Sequence, residues 1–249
     1  MRVGVPKAVG GRRIARSRIA GCEARLPDVS IQPHLIRVED EERVDAPIQG
    51  GPQMRVVVFM SVTLDGVIQA PARPDEDVRG GFKHGGWGIP YADPEVARMA
   101  GEGMAKKGAL LLGRRTYEDF FAVWPNRPDN PYTDALNSRQ KYVASRTLKE
   151  PLPWKNSTLL KGDAAEAVAT LKVDQEGDLM TIGSGELVQS LMRNNLVDEY
   201  VLLITPLVLG SGQRLFRDGG PWATLRLVDT KTLSTGVIVA TYQSAGGRQ

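Results

Sequence analysis

Cysteine is almost absent from this sequence. The single Cys22 excludes an internal disulfide and every zinc site built from several cysteines. It fits a reducing compartment, so a cytoplasmic protein is expected. Long apolar runs are missing as well. The longest, Val56–Met60 and Tyr200–Leu209, are strand-sized, and Pro206 interrupts the second; a membrane helix needs about 18 such residues in a row. A decisive charge of either sign is also lacking. Lys and Arg number 32 against 29 Asp and Glu, a net charge of +3, which is too small to point to nucleic acid or a membrane surface. No basic stripe follows the opening residues, so the usual footprint of a nucleic-acid binder is missing. What remains is ordinary for a globular chain: 41% hydrophobic and 24% charged over 249 residues. That is enough to bury a core without disulfides or a structural metal.

The opening segment differs from the rest. Residues 1–53 hold scattered Gly and Pro, a basic start (Arg12, Arg13, Arg16, Arg18) and an acidic cluster from Glu39 to Glu42. Their apolar residues keep neither strand nor helix periodicity. The segment therefore has little to pack with and reads as a disordered extension. The Arg-rich start leaves a transit peptide open, although its amphipathic repeat is missing; a secretory signal fails for want of an apolar h-region. One domain is expected over residues 54–245, with 246–249 a short tail.

After Pro52 the pattern changes. Arg55–Ser61 is rich in β-branched and aromatic residues, as a buried strand requires, and Thr63-Leu64-Asp65-Gly66 breaks it with turn chemistry. A long loop loaded with Pro, Gly and charge runs from Ala70 to Pro90; loops of this length are usually functional or mobile. Asp93 followed by Pro94 reads as an N-cap with Pro at N1. The helix it opens is expected to run to about Lys107, with Gly108 ending it. Strands are expected at Ala109–Leu112, Lys141–Ala144, Ser157–Leu160, Leu179–Ile182 and Asp198–Thr205. Helices are expected at Tyr117–Ala122, after an Asp163 cap, and at Glu186–Asn194. In the last of these Leu187, Leu191 and Met192 share a core-facing side. Ala223–Thr232 and Gly236–Gln243 read as an antiparallel pair. Alternating strands and helices that end in antiparallel strands predict an α/β fold, a mostly parallel sheet with a mixed edge.

Three turns, each after a predicted strand, carry the chemistry, because ligands of open α/β sheets bind at the strand ends. In Gly113-Arg114-Arg115-Thr116 the glycine permits close approach and arginine offers a fork of donors to phosphate. In Ser145-Arg146-Thr147 a second arginine and two hydroxyls suit a ribose 2′-phosphate. In Gly183-Ser184-Gly185-Glu186 backbone N–H groups at a helix start can cradle a pyrophosphate. Taken singly, each is equally a polar or tight turn.

Together they are recognisable. RVVVFMSVTLDG, LLLGRRTYEDF, KYVASRTL and IGSGELVQSLMRNNLVDEYVLLITPLVLGSGQRLF closely resemble the reductase domain of bifunctional riboflavin-biosynthesis deaminase-reductases and its stand-alone relatives in the dihydrofolate reductase superfamily. The resemblance covers the chain after Met54. It implies a three-layer dihydrofolate-reductase-like fold, NADPH as cofactor, a small pyrimidine- or pteridine-like substrate, and a homodimer. It places Gly113, Arg114 and Thr116 at the cofactor phosphates and Ser145 and Arg146 near the adenosine 2′-phosphate. Gly183, Ser184, Gly185 and Glu186 fall over the pyrophosphate and nicotinamide, and Ser61, Asp65 and Gly66 beside the nicotinamide and substrate. The closest implied activity is that of 5-amino-6-(5-phosphoribosylamino)uracil reductase. Dihydrofolate reduction, or a nucleotide-binding protein that has lost catalysis, are the alternatives. The zinc-deaminase signature H-x-E…P-C-x-x-C needs cysteines this chain does not have.

For proton transfer the expected residues are Asp93 and Asp65. Trp87, Pro90 and Asp93 fall in the order in which folate reductases present a Trp, a Pro and the acid that holds the pterin ring, so Asp93 is a candidate general acid; its alternative role is the helix cap. Asp65 is divided in the same way between the substrate side and a turn. His84 suits a proton donor or an exposed loop. Trp87 suits a stacking platform or a loop anchor.

Overall fold

The computed structural model describes residues 53–127 and 131–245. The expected extension 1–53, apart from its last residue, Cys22 within it, and the tail 246–249 lie outside the described residues.

Eight strands form one sheet. In chain order they are β1 (Arg55–Thr63), β2 (Gly108–Gly113), β3 (Lys141–Ala144), β4 (Ser157–Leu160), β5 (Asp178–Ile182), β6 (Glu199–Thr205), β7 (Leu225–Thr232) and β8 (Ile238–Ser244). The spatial order is β4-β3-β2-β5-β1-β6-β8-β7. The six strands from β4 to β6 pair in parallel, and β8 and β7 add an antiparallel edge. Among the described residues five α-helices flank the sheet: α1 (Pro94–Ala105), α2 (Arg114–Val123), α3 (Pro131–Ser138), α4 (Ala164–Asp174) and α5 (Gly185–Arg193).

The sequence of the central strands explains the layering. Parallel strands are covered on both faces, so they read as near-continuous apolar runs. In β2, alternation sends Leu111 to one face and Leu110 and Leu112 to the other, all fully buried. Leu111 joins Val56, Val58, Leu179 and the α5 residues Val188 and Leu191 in one core. Leu110 and Leu112 meet Tyr117 of α2, Leu136 of α3 and Trp154 in the other. Two helical layers thus enclose the sheet. In α5 Leu187 and Leu191 are buried and Met192 packs against them. The antiparallel edge is different, since seven of the eight β7 residues are exposed.

Several boundaries move. α2 begins at Arg114, three residues before the expected Tyr117, and α1 stops at Ala105, with Lys106 extended as its C-cap. Gly108 opens β2 rather than closing the helix. The helix α3 was not anticipated. The long loop is ordered around a small core of its own: Val67, Ala70, Phe82 and Trp87 pack together. Trp87 Nε1 donates to the Gln69 carbonyl at 2.7 Å. Gln69 in turn donates to the carbonyls of Asp77 and Arg79 and accepts from Gln213 N. Trp87 is therefore the loop's anchor, and the loop is held as a wall beside the strand ends.

Candidate functional site

The carboxyl ends of β3, β2, β5 and β1 lie in that order along the sheet and open on one cleft of about 1340 Å³. Ser145, Arg146 and Thr147 line it after β3, Gly113 to Thr116 after β2, and Gly183 to Leu187 after β5; Phe59, Met60 and Ser61 face it from β1. Every residue expected at the cofactor reaches this cleft: Gly113, Arg114, Thr116, Ser145, Arg146, Gly183, Ser184, Gly185 and Glu186.

The turn after β5 is built for backbone approach. Gly183 (φ 62°) and Ser184 (φ 55°) both adopt the left-handed conformation, which costs a non-glycine residue about 1–2 kcal/mol. Two hydrogen bonds hold Ser184 there. Its N–H donates to Thr116 Oγ1 at 3.0 Å, and its Oγ accepts from Gly113 N at 2.9 Å. These bonds tie the β2–α2 corner to the β5–α5 corner. At Gly185 an added Cβ would lie 2.6 Å from Ile68 Cδ1, so the loop side chain can pass directly over the turn.

Because the Ser184 hydroxyl is engaged with Gly113, it does not cap α5, and α2 starts behind a glycine. Neither helix has a side-chain cap. By contrast α1 and α4, whose cap residues do not line the cleft, are capped by Asp93 and Asp163. Two helix N-termini without side-chain caps therefore open on the cleft, presenting first-turn N–H groups and the positive ends of two dipoles. That is the arrangement that binds phosphate.

The arginines divide by what already holds them. Arg114 donates to Glu118 at 2.9 Å and to Thr147 Oγ1 at 2.7 Å, bridging α2 to the turn after β3. Ser145 Oγ closes that turn by accepting from Thr147 N and Leu148 N at 3.1 and 3.0 Å. Arg146 is free to engage a ligand: its side chain is 86% exposed and its ion-pair partner, Asp163, lies 3.9 Å away. Arg115 also lines the cleft, a residue of the GRRT turn that was passed over in favour of its neighbours. Glu186 is paired with Arg217 at 2.7 Å, which holds its carboxyl below the usual range.

The two acids expected at the site lie elsewhere. Neither Asp93 nor Asp65 lines the cleft. Asp93 Oδ1 accepts from Glu95 N at 2.9 Å, capping α1, while Oδ2 accepts from Ser234 Oγ at 2.8 Å. Asp65 is a brace. Its carboxylate accepts from Thr63 Oγ1 at 2.6 Å, Leu209 N at 3.1 Å and Gly210 N at 2.8 Å. The Thr63 bond above all pulls its pKa down to about 2, leaving no proton to give near neutrality. His84 is also outside the cleft, edge-on to Phe82. Three acids of the long loop do face the cleft, Asp75, Glu76 and Asp77, and Glu76 differs from its neighbours in having no arginine partner among the described residues. Its Oε2 accepts from Ala72 N at 2.7 Å and Arg73 N at 3.3 Å, and burial pushes its carboxyl above the usual range. No periodicity or motif in RPDED distinguishes it from solvated neighbours. Among the described residues no cluster of His, Cys, Asp and Glu is placed to hold a metal ion, and no helix is long and apolar enough to cross a membrane.

Comparison with known proteins agrees with this architecture. The uncharacterized protein YyaP of Bacillus subtilis (strain 168) is 28% identical over 199 residues, covering 78% of this chain and 97% of that protein. A structure from Shewanella sp. PV-4, provisionally named a riboflavin biosynthesis protein, superposes with a TM-score of 0.56 at 21% identity, covering 78% of this chain and all of that one. Dihydrofolate reductase from Enterococcus faecalis, complexed with NADP(H) and RAB-propyl, superposes with a TM-score of 0.51 at 15% identity, over 78% of this chain and 99% of that one. The fold is thus dihydrofolate-reductase-like. The model of the RibD C-terminal domain matches residues 54–239, and the chain belongs to that family.

Proposed function

We propose that this chain is an NADPH-dependent reductase of a small heterocyclic substrate, resembling 5-amino-6-(5-phosphoribosylamino)uracil reductase. The observation that carries the proposal is the pair of uncapped helix N-termini, α2 and α5, facing one cleft that also holds Arg115 and Arg146. The family match and the likeness to a reductase complexed with NADP(H) support it.

The residues fit the cofactor. Gly183 and Ser184 turn in the left-handed conformation at the head of α5, where backbone rather than side chain faces the cleft. The first-turn amides of α2 and α5 would hold the pyrophosphate, and Arg146, with Arg114 and the turn it braces, would read the 2′-phosphate. The bound nicotinamide supplies a hydride. The chain's own part is to hold the reacting groups together. The cleft continues from the arginines across β5 to Phe59, Ile182 and Phe120, apolar walls suited to a flat ring.

The test is cofactor binding followed by thermal shift or calorimetry, with NADPH and NADH compared. Arg146→Ala should weaken NADPH by about tenfold to a hundredfold and NADH little, since a hydrogen bond to a charged group contributes about 1.5–3 kcal/mol. Failure of wild type to bind either nicotinamide overturns the proposal. Equal losses for both cofactors would remove Arg146 from 2′-phosphate recognition.

A further inference from the structure

A reduction of a polar double bond needs a proton as well as a hydride, and the cleft wall contains no His, Tyr, Lys or Cys. Its proton-carrying groups are carboxyls, and their partners separate them. Asp119 is paired with Arg73. Asp77 receives Arg79 Nε at 2.7 Å and its carboxyl is held low by that bond. Glu186 is paired with Arg217 at 2.7 Å and Glu118 with Arg114 at 2.9 Å. Asp75 is 84% exposed and lies 3.5 Å from Arg73. Each of these has an arginine partner or stands in solvent. Glu76 alone has its Oε2 on two backbone N–H groups and no hydrogen bond at Oε1 among the described residues.

We propose that Glu76 is the proton donor of this site, a catalytic residue whose Oε1 delivers a proton to the substrate. The proposal rests on the reductase reading above. In the step, the π bond of a substrate C=N or C=O group breaks. Its carbon gains the hydride pair from the reduced nicotinamide, and its heteroatom gains the proton from Glu76. The cofactor leaves oxidised, and Glu76 is left as carboxylate and recovers its proton from water. Two backbone N–H bonds on Oε2 orient the group without supplying the full charge that would fix it as an anion. Burial above all pushes the carboxyl up; the N–H bonds from Ala72 and Arg73 pull it down, the negative charge of Asp119 on the facing helix α2 adds to the rise, the charge of Arg73 opposes it, and the balance is upward. A site carboxyl raised by burial is the pattern of a general acid.

The Glu76→Gln variant isolates the proton, because the amide oxygen still accepts from Ala72 N and Arg73 N. Three readouts on the full chain decide the matter. First, the Cδ resonance of Glu76, assigned by its loss in Glu76→Gln, is titrated by ¹³C NMR without ligands; it should titrate above the ordinary glutamate value of about 4.3. Second, NADPH affinity should be the same in both forms. Third, single-turnover reduction of 5-amino-6-(5-phosphoribosylamino)uracil should slow by about 10²–10⁴-fold in Glu76→Gln. The wild-type rate should fall as pH rises through the same titration seen by NMR, and the variant should lose that limb. A carboxyl titrating at or below the ordinary value overturns the proposal, as does a variant that keeps wild-type rate and pH profile. If wild type binds no NADPH and reduces nothing, the reductase reading falls and this proposal with it. Turnover that survives Glu76→Gln sinks this proposal alone.

Discussion

Thr116→Val tests whether the two strand-end corners act as one cofactor platform. The substitution keeps shape and β-branching but replaces Oγ1 with a methyl. The lost acceptor is the partner of Ser184 N at 3.0 Å, the bond that helps keep Ser184 left-handed. Leaving a partly buried N–H without a partner costs about 1–3 kcal/mol. The cleft admits water, so the lower part of that range applies, about 1–2 kcal/mol. For a domain of this size each kcal/mol shifts the melting temperature by about 2–4 °C, so a fall of about 2–8 °C is expected. The same energy, expressed as disorder of the turn that NADPH must select, weakens the cofactor by about 5–30-fold. Thermal unfolding with and without NADPH measures both. Thr116→Ser restores the hydroxyl and should recover most of each loss. A valine variant that melts and binds like wild type refutes the platform, and so does a serine variant as impaired as valine.

Two further perturbations probe the frame around the site. Asp65→Asn should lower the melting temperature at pH 7, since an amide nitrogen cannot accept from Gly210 N as the carboxylate does. The folded pKa of about 2 is depressed below the unfolded value of about 3.9. The wild-type advantage is therefore complete above pH 4 and should vanish as pH falls through about 2; an advantage that persists at pH 2 would show that the charge is irrelevant. Lys141, fully buried, donates to the carbonyls of Leu136 and Arg139 at 2.7 Å each and lies 4.6 Å from the Trp154 ring centre. Burial, assisted by Lys155, pushes its pKa down to about 8. Between pH 8 and 10 the unfolded chain holds more protons, so wild-type stability relative to Lys141→Met should rise with pH, by at most about 1.4 kcal/mol per unit. Denaturant titrations across that range would refute it by showing that wild-type stability minus that of Lys141→Met stays constant or falls.

The fold was legible where periodicity and burial coincide. Lys141–Ala144 and Ser157–Leu160 match β3 and β4 residue for residue, because short β-branched or apolar runs between polar turns have one reading. Asp163 and Asp93 announce their helices by the same chemistry they perform as caps. By contrast, α3 is short and polar, and what fixes it is tertiary: Leu136 buried in the second core and Asn137 Oδ1 accepting from Trp154 Nε1 at 2.7 Å. The start of α2 was misplaced because Gly-Arg-Arg-Thr carries turn chemistry. Its arginines are already helical, which directs the first-turn amides into the cleft rather than leaving a loose loop there.

The acids show why the strand-end turns that line the cleft were legible and the pairing of its carboxyls was not. A phosphate-binding turn is made mainly of backbone, so its glycines and the helix that follows are local in the sequence. A proton donor is defined by what its carboxyl does not touch. Asp93 and Asp65 stand at plausible distances along the chain, yet each is consumed by neighbours: one by Glu95 N and Ser234, the other by Thr63 and by a segment 144 residues away. Glu76 carries no signal of its own. It becomes distinct only when Arg73, Arg79, Arg114 and Arg217 have each been assigned to another carboxylate of the same wall. That assignment is a property of the folded cleft, since three of these four pairs join different segments of the chain or successive turns of α2. The arginines thus do two things at once: they pair with the anions that shape the cleft, and by omission they leave one partly buried carboxyl whose pKa burial pushes above the usual range.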